Sequence, residues 1–252
     1  MSSNETDASG NADGRHSIGI DGARGGWVVA DIIGGELSLS LIPSISSLNV
    51  PPEAFALIDM PIGIPKAGER ACDQEGAAVL GSRRASIFPV PARAAVEAGS
   101  YKVACEANLG LQGKKFSIQM WNIIPKVREL DVFLQNHPDL HVQLAEGHPE
   151  IAFLILSGRS EALPSKKEPR GQTERLKVLK RFLGDTVEKI IADFAQRNRP
   201  NASVEDAIDA AGLACLVMHS AGAPDLLGDG AVDCLGMPMR IAGHRGIPSH
   251  VQ

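Results

Sequence analysis

Aromatic residues are scarce in this chain: two Trp, one Tyr and seven Phe, 4% of 252 residues. So few rings argue against a stacking platform for single-stranded nucleic acid, which relies on exposed aromatic faces. The core must then be aliphatic and alanine-rich, a composition that suits helices packed closely on a sheet. Cysteine is sparse as well. Cys72, Cys105, Cys215 and Cys234 show no C-x-x-C spacing. That argues against a zinc site or a disulfide framework and for reduced thiols in a cytoplasm. No run of about 18 apolar residues exists, so no membrane-spanning helix is expected. Residues 1–15 are rich in Ser, Asn, Asp and Gly, without the apolar stretch or leading positive charge of a secretory signal. A cytoplasmic location with no membrane partner is the expectation.

What remains is an ordinary globular composition, 44% hydrophobic and 22% charged. Its length is near the upper end of what one core supports. The net charge of −5 offers no overall attraction to nucleic acid. The distribution is more informative than the total. Residues 66–128 carry ten Lys/Arg against five Asp/Glu, and residues 159–181 carry eight against three. Basic character is thus confined to two stretches, each of which also reads plainly as a solvated helix face.

Residues 1–15 and 238–252 lack apolar periodicity and are expected as loose tails around one domain, 16–237. Residues 16–23, 25–33 and 36–42 read as three strands of an antiparallel meander, the last reversal made by Gly34-Gly35. Residues 54–59 form a continuous apolar run, as a strand buried on both faces would. Residues 66–137 are expected as a helical insertion over the carboxylate face, and 140–145 as a further strand. Helices are expected at 149–157, 171–198 with a break near Gly184, and 203–220. The fold class is α/β with a mixed sheet.

Four motifs carry candidate chemistry. Asp21 follows Ile18-Gly19-Ile20 in the first strand and precedes a Gly-rich turn. A carboxylate there is costly to bury unless paired or metal-bound; its plain alternative is a turn residue. Asp59 ends an apolar strand before Met60-Pro61-Ile62-Gly63, where ligands bind in open α/β sheets, or it caps the turn that Pro61 forces. Glu146 leaves the strand 140–145 ahead of His148-Pro149-Glu150. His148 is a possible ligand type, and Glu150 suits the first turn of a helix. Finally, Ser203 and Asp206 have capping-box spacing, while Asp209 stands three residues on, followed by Ala210, Ala211, Gly212 and Ala214. Those small residues let the helix lie close to the sheet and carry both Asp206 and Asp209 toward Asp21.

Six blocks in order, at 19–30, 58–63, 70–93, 146–153, 166–176 and 205–211, resemble the DUF429 family, a predicted nuclease group with the RNase H-like fold. The last helix also resembles that of Holliday-junction resolvases. Two positions depart from the pattern: Gly147, where an apolar residue is more usual, and Glu205, where a second Asp often stands. The resemblance implies an RNase H-like mixed sheet and two Mg²⁺ or Mn²⁺ ions about 4 Å apart. It implies that Asp21, Asp59, Glu146 and Asp209 hold them, with Asp206 as a further catalytic carboxylate. Arg83, Arg84 and Arg93, near Phe88-Pro89-Val90-Pro91, and Lys166, Lys167 and Arg175 would position the phosphates of a nucleic acid or nucleotide. Two other classes compete. One is an ATP-dependent phosphotransferase related to actin and sugar kinases, whose first lobe opens on a similar Asp-Gly strand. The other is a non-enzymatic binding protein that keeps the fold.

Overall fold

The computed structural model describes residues 16–166 and 168–244. The tail expected at 1–15 and the last eight residues lie outside them. The chain opens as a meander: β1 (Ser17–Ala23), β2 (Gly26–Ile33) and β3 (Glu36–Ile42) pair antiparallel in sequence. β4 (Phe55–Ile58) then joins β1 in parallel, and β5 (Leu144–Glu146) joins β4 in parallel. The completed sheet runs β3-β2-β1-β4-β5-β7-β6, with β6 (Leu226–Leu227) and β7 (Ile241–Ala242) from the end of the chain. Among the described residues, seven strands, mixed in direction and flanked by helices, form an α/β fold consistent with an RNase H-like arrangement.

Between β4 and β5 the chain makes α1 (Ala71–Leu80), α2 (Arg93–Val96), α3 (Tyr101–Gln112) and α4 (Ile118–Asn136). α5 (Pro149–Ser157), α6 (Pro169–Leu183), α7 (Val187–Arg197) and α8 (Val204–His219) follow β5. The alternation of strand side chains divides the core into two layers. Ile18, Ile20 and Ile58 meet Ile124, Val127 and Leu130 of α4. The segment 66–137 therefore shares the main core on one face of the sheet. On the other face, Val28, Ala30 and Ile32 meet α6, α7 and α8 through Leu179, Ile191 and Ala211.

Two expectations are corrected. Residues 140–145 do not run as one strand: Pro138–Val142 is a 3-10 turn, and the strand starts at Leu144. Pro138 sets the turn's first dihedral. The apolar alternation that suggested a strand includes Val142, which is exposed. The second concerns the tail at 238–252. Ile241 pairs in parallel with Glu146 and antiparallel with Leu227, so β7 is an inner strand. Two residues are too short a strand to show any period. All four cysteines are free thiols, three of them buried. Among the described residues no helix is long and apolar enough to cross a membrane.

Candidate functional site

The site forms at the C-terminal ends of β1 and β4. The Asp59 amide donates to the Ile20 carbonyl at 2.8 Å, which sets Asp59 level with Asp21 on the neighbouring strand. Ile20 and Ile58 belong to the face covered by α4, so Asp21 and Asp59, one residue further along each strand, turn toward α8. α8 starts at Ser203, whose hydroxyl accepts from the Asp206 amide while the Asp206 carboxylate accepts from the Ser203 amide. Asp206 is thereby committed to the capping box. Asp209, one turn further in, is completely buried.

Close contact between α8 and β1 explains the small residues. A Cβ placed on Gly19 would lie 2.0 Å from the Ala210 carbonyl oxygen and 2.4 Å from the Ala214 nitrogen. Only glycine permits the helix backbone to lie against the strand in this way. The approach brings Asp209 to the same end of the sheet as Asp21 and Asp59.

These carboxylates disturb one another. Burial, then the charges of Asp59 and Asp209, raise the Asp21 carboxyl well above the usual range, and Lys166 partly offsets them. Burial also raises Asp59, against the pull of His148 and Lys166. Asp209 is pushed up to about 7 by burial, although Lys166 opposes the shift. Burial works to lower the Lys166 ammonium, but Asp209, Asp59 and Asp21 outweigh it and hold the group above its ordinary value. Lys166 Nζ stands 2.5 Å from Asp209 Oδ2 and 3.3 Å from Glu205 Oε1. Asp209 Oδ1 is buried and has no hydrogen-bond partner. Among the described residues no three His, Cys, Asp or Glu side chains stand arranged as a metal cage. An ammonium is set among the carboxylates instead.

A cleft of about 570 Å³ opens over this group. Asp21, Asp59 and Lys166 line one side, and Arg83, Phe88 and Lys126 come from the insertion between β4 and β5. Phe88 is 44% exposed and presents a ring at the cleft. The insertion thus walls the carboxylate end of the sheet.

Several expected site residues are held by other partners, although Glu146 also lines the cleft. Glu146 pairs with Ile58 in register, so it points to the face opposite Asp59. There its two oxygens accept from Arg70 at 2.7 Å and 3.0 Å, and Oε2 also accepts from the Ile62 amide. The one-residue offset between Asp59 and Glu146 decides which carboxylate reaches α8. Arg175 is buried, bonded to Glu150 at 2.8 Å and to the Pro164 and Gly171 carbonyls. Arg93 is taken up by Asp131 and Asp233. Both arginines pair with carboxylates of this chain, although the buried Nε of each has no partner. Arg83 lines the cleft while bonded to Glu150 at 3.2 Å, and Arg84 is exposed on the adjacent 3-10 turn. Lys167 lies outside the described residues. His148 caps α5: Nδ1 accepts from the Glu150 amide, and Nε2 lies 3.2 Å from the Ser86 carbonyl. With both ring nitrogens engaged, it is not placed as a ligand.

Lys126 is a cleft residue that sequence reasoning missed. Its ammonium donates to the Gly26 carbonyl at 2.6 Å and lies 4.3 Å from the Trp27 ring centre. Nothing in a helical Lys marks it in sequence. Arg70, the strut under Glu146, left only its i,i+3 spacing to Asp73 as a signal.

The family model for DUF429, described as a protein of unknown function, matches residues 19–231. The chain belongs to the DUF429 family. The DUF429 match spans Asp21, Asp59, Lys166 and Asp209 and stops before β7. Comparison with curated proteins and with solved structures found no match.

Proposed function

We propose that this DUF429 protein hydrolyses phosphodiester bonds using Mg²⁺ or Mn²⁺ held by Asp21, Asp59 and Asp209. The observation that carries this reading is the buried, unpartnered Oδ1 of Asp209 beside two further carboxylates from separate strands. A buried acceptor without a donor is rare, and three mutually repelling carboxylates cost stability unless a cation joins them. Hard, oxygen-only donors of this kind suit Mg²⁺ or Mn²⁺ rather than zinc or copper. When bound, such an ion supplies charge stabilisation to a phosphoryl oxygen and makes a bound water more acidic.

The protein's own groups supply the rest. Asp21 and Asp59 would hold the cation at the sheet end, with Asp209 reaching it from α8. Arg83 and Lys126 line the cleft and offer positive charge to phosphate oxygens. Phe88 gives an apolar surface on which a base could rest.

The test compares wild type with Asp21→Asn by thermal melting with and without Mn²⁺, alongside cleavage of a mixed DNA and RNA panel. Mn²⁺ should stabilise the wild type, and the panel should be cut. Asp21→Asn should abolish both effects and leave the metal-free protein as stable as before or slightly more so, because one repelling charge is gone. If Mn²⁺ fails to stabilise the wild type, the metal site is refuted. Stabilisation without cleavage would move the reading to a phosphotransferase or a binding protein.

A further inference from the structure

We infer that the ammonium of Lys166 takes the place of a second metal ion, so that the site holds one divalent cation and uses Lys166 as its other positive charge. This rests on the metal-dependent reading above and adds the stoichiometry of the site and the role of one lysine.

The argument begins with the two oxygens of Asp209. Oδ2 is occupied by Lys166 Nζ at 2.5 Å, and Oδ1, equally buried, has no partner. One cation position at this carboxylate is therefore filled by the chain itself, and one is left. Glu205 lies four residues earlier on α8, one turn away, and takes the same ammonium at 3.3 Å. Two carboxylates on adjacent turns, flanked by Asp21 and Asp59 on the sheet, are the surroundings a second ion would need. The ammonium already sits among them.

Its place is built rather than accidental. Lys166 belongs to the connection between α5 and α6, and that connection is clamped from behind. Buried Arg175 donates to the Pro164 carbonyl at 2.8 Å while paired to Glu150 at 2.8 Å. The Glu168 amide donates to the Ser165 carbonyl at 3.0 Å. Gly171 lets the start of α6 pass directly beneath Ser165, where a Cβ would meet that carbonyl oxygen at 1.9 Å. A clamp on both sides of Lys166 fixes the root of its side chain at the mouth of the cleft. A lysine also serves as a compact point charge, the property a stand-in for an ion requires.

Titrating metal-free protein with MnCl₂, followed by calorimetry and by the electron paramagnetic resonance of free Mn²⁺, tests this. The wild type should take up one Mn²⁺ per chain. Lys166→Met should take up two, and Lys166→Arg, which keeps the charge, should return to one. Circular dichroism confirms that each variant is folded, and Lys166→Gln replaces the Met variant if that one melts early. Two ions on the wild type, or one on the folded neutral variants, would overturn the inference and leave the metal-dependent reading standing. No Mn²⁺ on any of the proteins would overturn both.

Discussion

Arg70 holds Glu146 with both ends of its guanidinium, Nη1 to Oε2 at 2.7 Å and Nη2 to Oε1 at 3.0 Å, and both side chains are buried. Asp73 completes the cluster from α1. The pair joins α1 to the end of β5, so its removal should be felt in folding. Glu146→Gln is expected to cost about 3–5 kcal/mol, the usual loss when one partner of a buried ion pair is removed. Urea denaturation measures this. Mn²⁺ affinity of the folded protein should not change, because both Glu146 oxygens are taken by Arg70. A large loss of Mn²⁺ binding with little loss of stability would return Glu146 to the metal set.

The same logic separates two roles for Arg175. As a phosphate-binding side chain its loss would weaken substrate binding and leave stability alone. Buried between Glu150 and the Pro164 carbonyl, it is expected instead to cost about 3–5 kcal/mol when changed to Met. Adding Glu150→Gln should recover part of that loss, since it removes a buried charge left with Arg83 as its remaining partner. Urea melts of the two single variants and the double variant decide it. A double variant as unstable as the sum of the singles would show that the pair is not coupled.

Gly19→Ala is expected to destabilise by about 3 kcal/mol, at the upper end for overpacking, because its new methyl meets backbone atoms of α8 that cannot rotate away. Gly212→Ala is the control. There the methyl meets the Phe153 ring at 2.7 Å, a side chain that can tilt, and alanine gains helix propensity of about 1 kcal/mol. Its net change should be within about 1 kcal/mol of zero. Differential scanning calorimetry of both would show the asymmetry, and equal effects would mean that α8 can shift off β1.

Much of this was legible in the residues. The meander, α5 and the capped start of α8 follow from period-two alternation, Pro149 and Ser203. Asp21, Asp59 and Asp209 were readable because each breaks an otherwise apolar or small-residue run. Partner choice was not. Whether Glu146 meets a metal or Arg70 depends on a one-residue register across β4 and β5, which sequence spacing does not contain. Arg93 and Arg175 look like phosphate ligands in a basic stretch, but each is claimed by an acid far along the chain, Asp233 and Glu150 respectively. Long-range pairing of that kind leaves no local mark. β7 was missed because two residues show no periodicity.

The last prediction concerns pH. Asp209 is pushed up to about 7 by burial, and Asp21 and Asp59 are raised for the same reason. In the unfolded chain aspartates release their protons near about 3.9. Between about pH 4 and pH 7 the folded protein therefore holds more protons than the unfolded chain, and its stability must fall as pH rises through that window. Asp233 and Glu69, whose values are lowered, act the opposite way, and their contribution is lost only below the window as pH falls. Lys166, held above its ordinary value, keeps its proton throughout. Metal-free protein should accordingly melt several degrees lower at pH 8 than at pH 5. Asp21→Asn should flatten part of that slope and leave the share that belongs to Asp59 and Asp209. Mn²⁺ binds the ionised carboxylates, so its stabilising effect should grow across the same range and oppose the fall. Melting curves at half-unit pH steps, with EDTA and with Mn²⁺, give both slopes. A metal-free Tm that climbs steadily from pH 5 to pH 8 would mean these carboxylates are already compensated in the folded protein, and the case for a cation among them would fail.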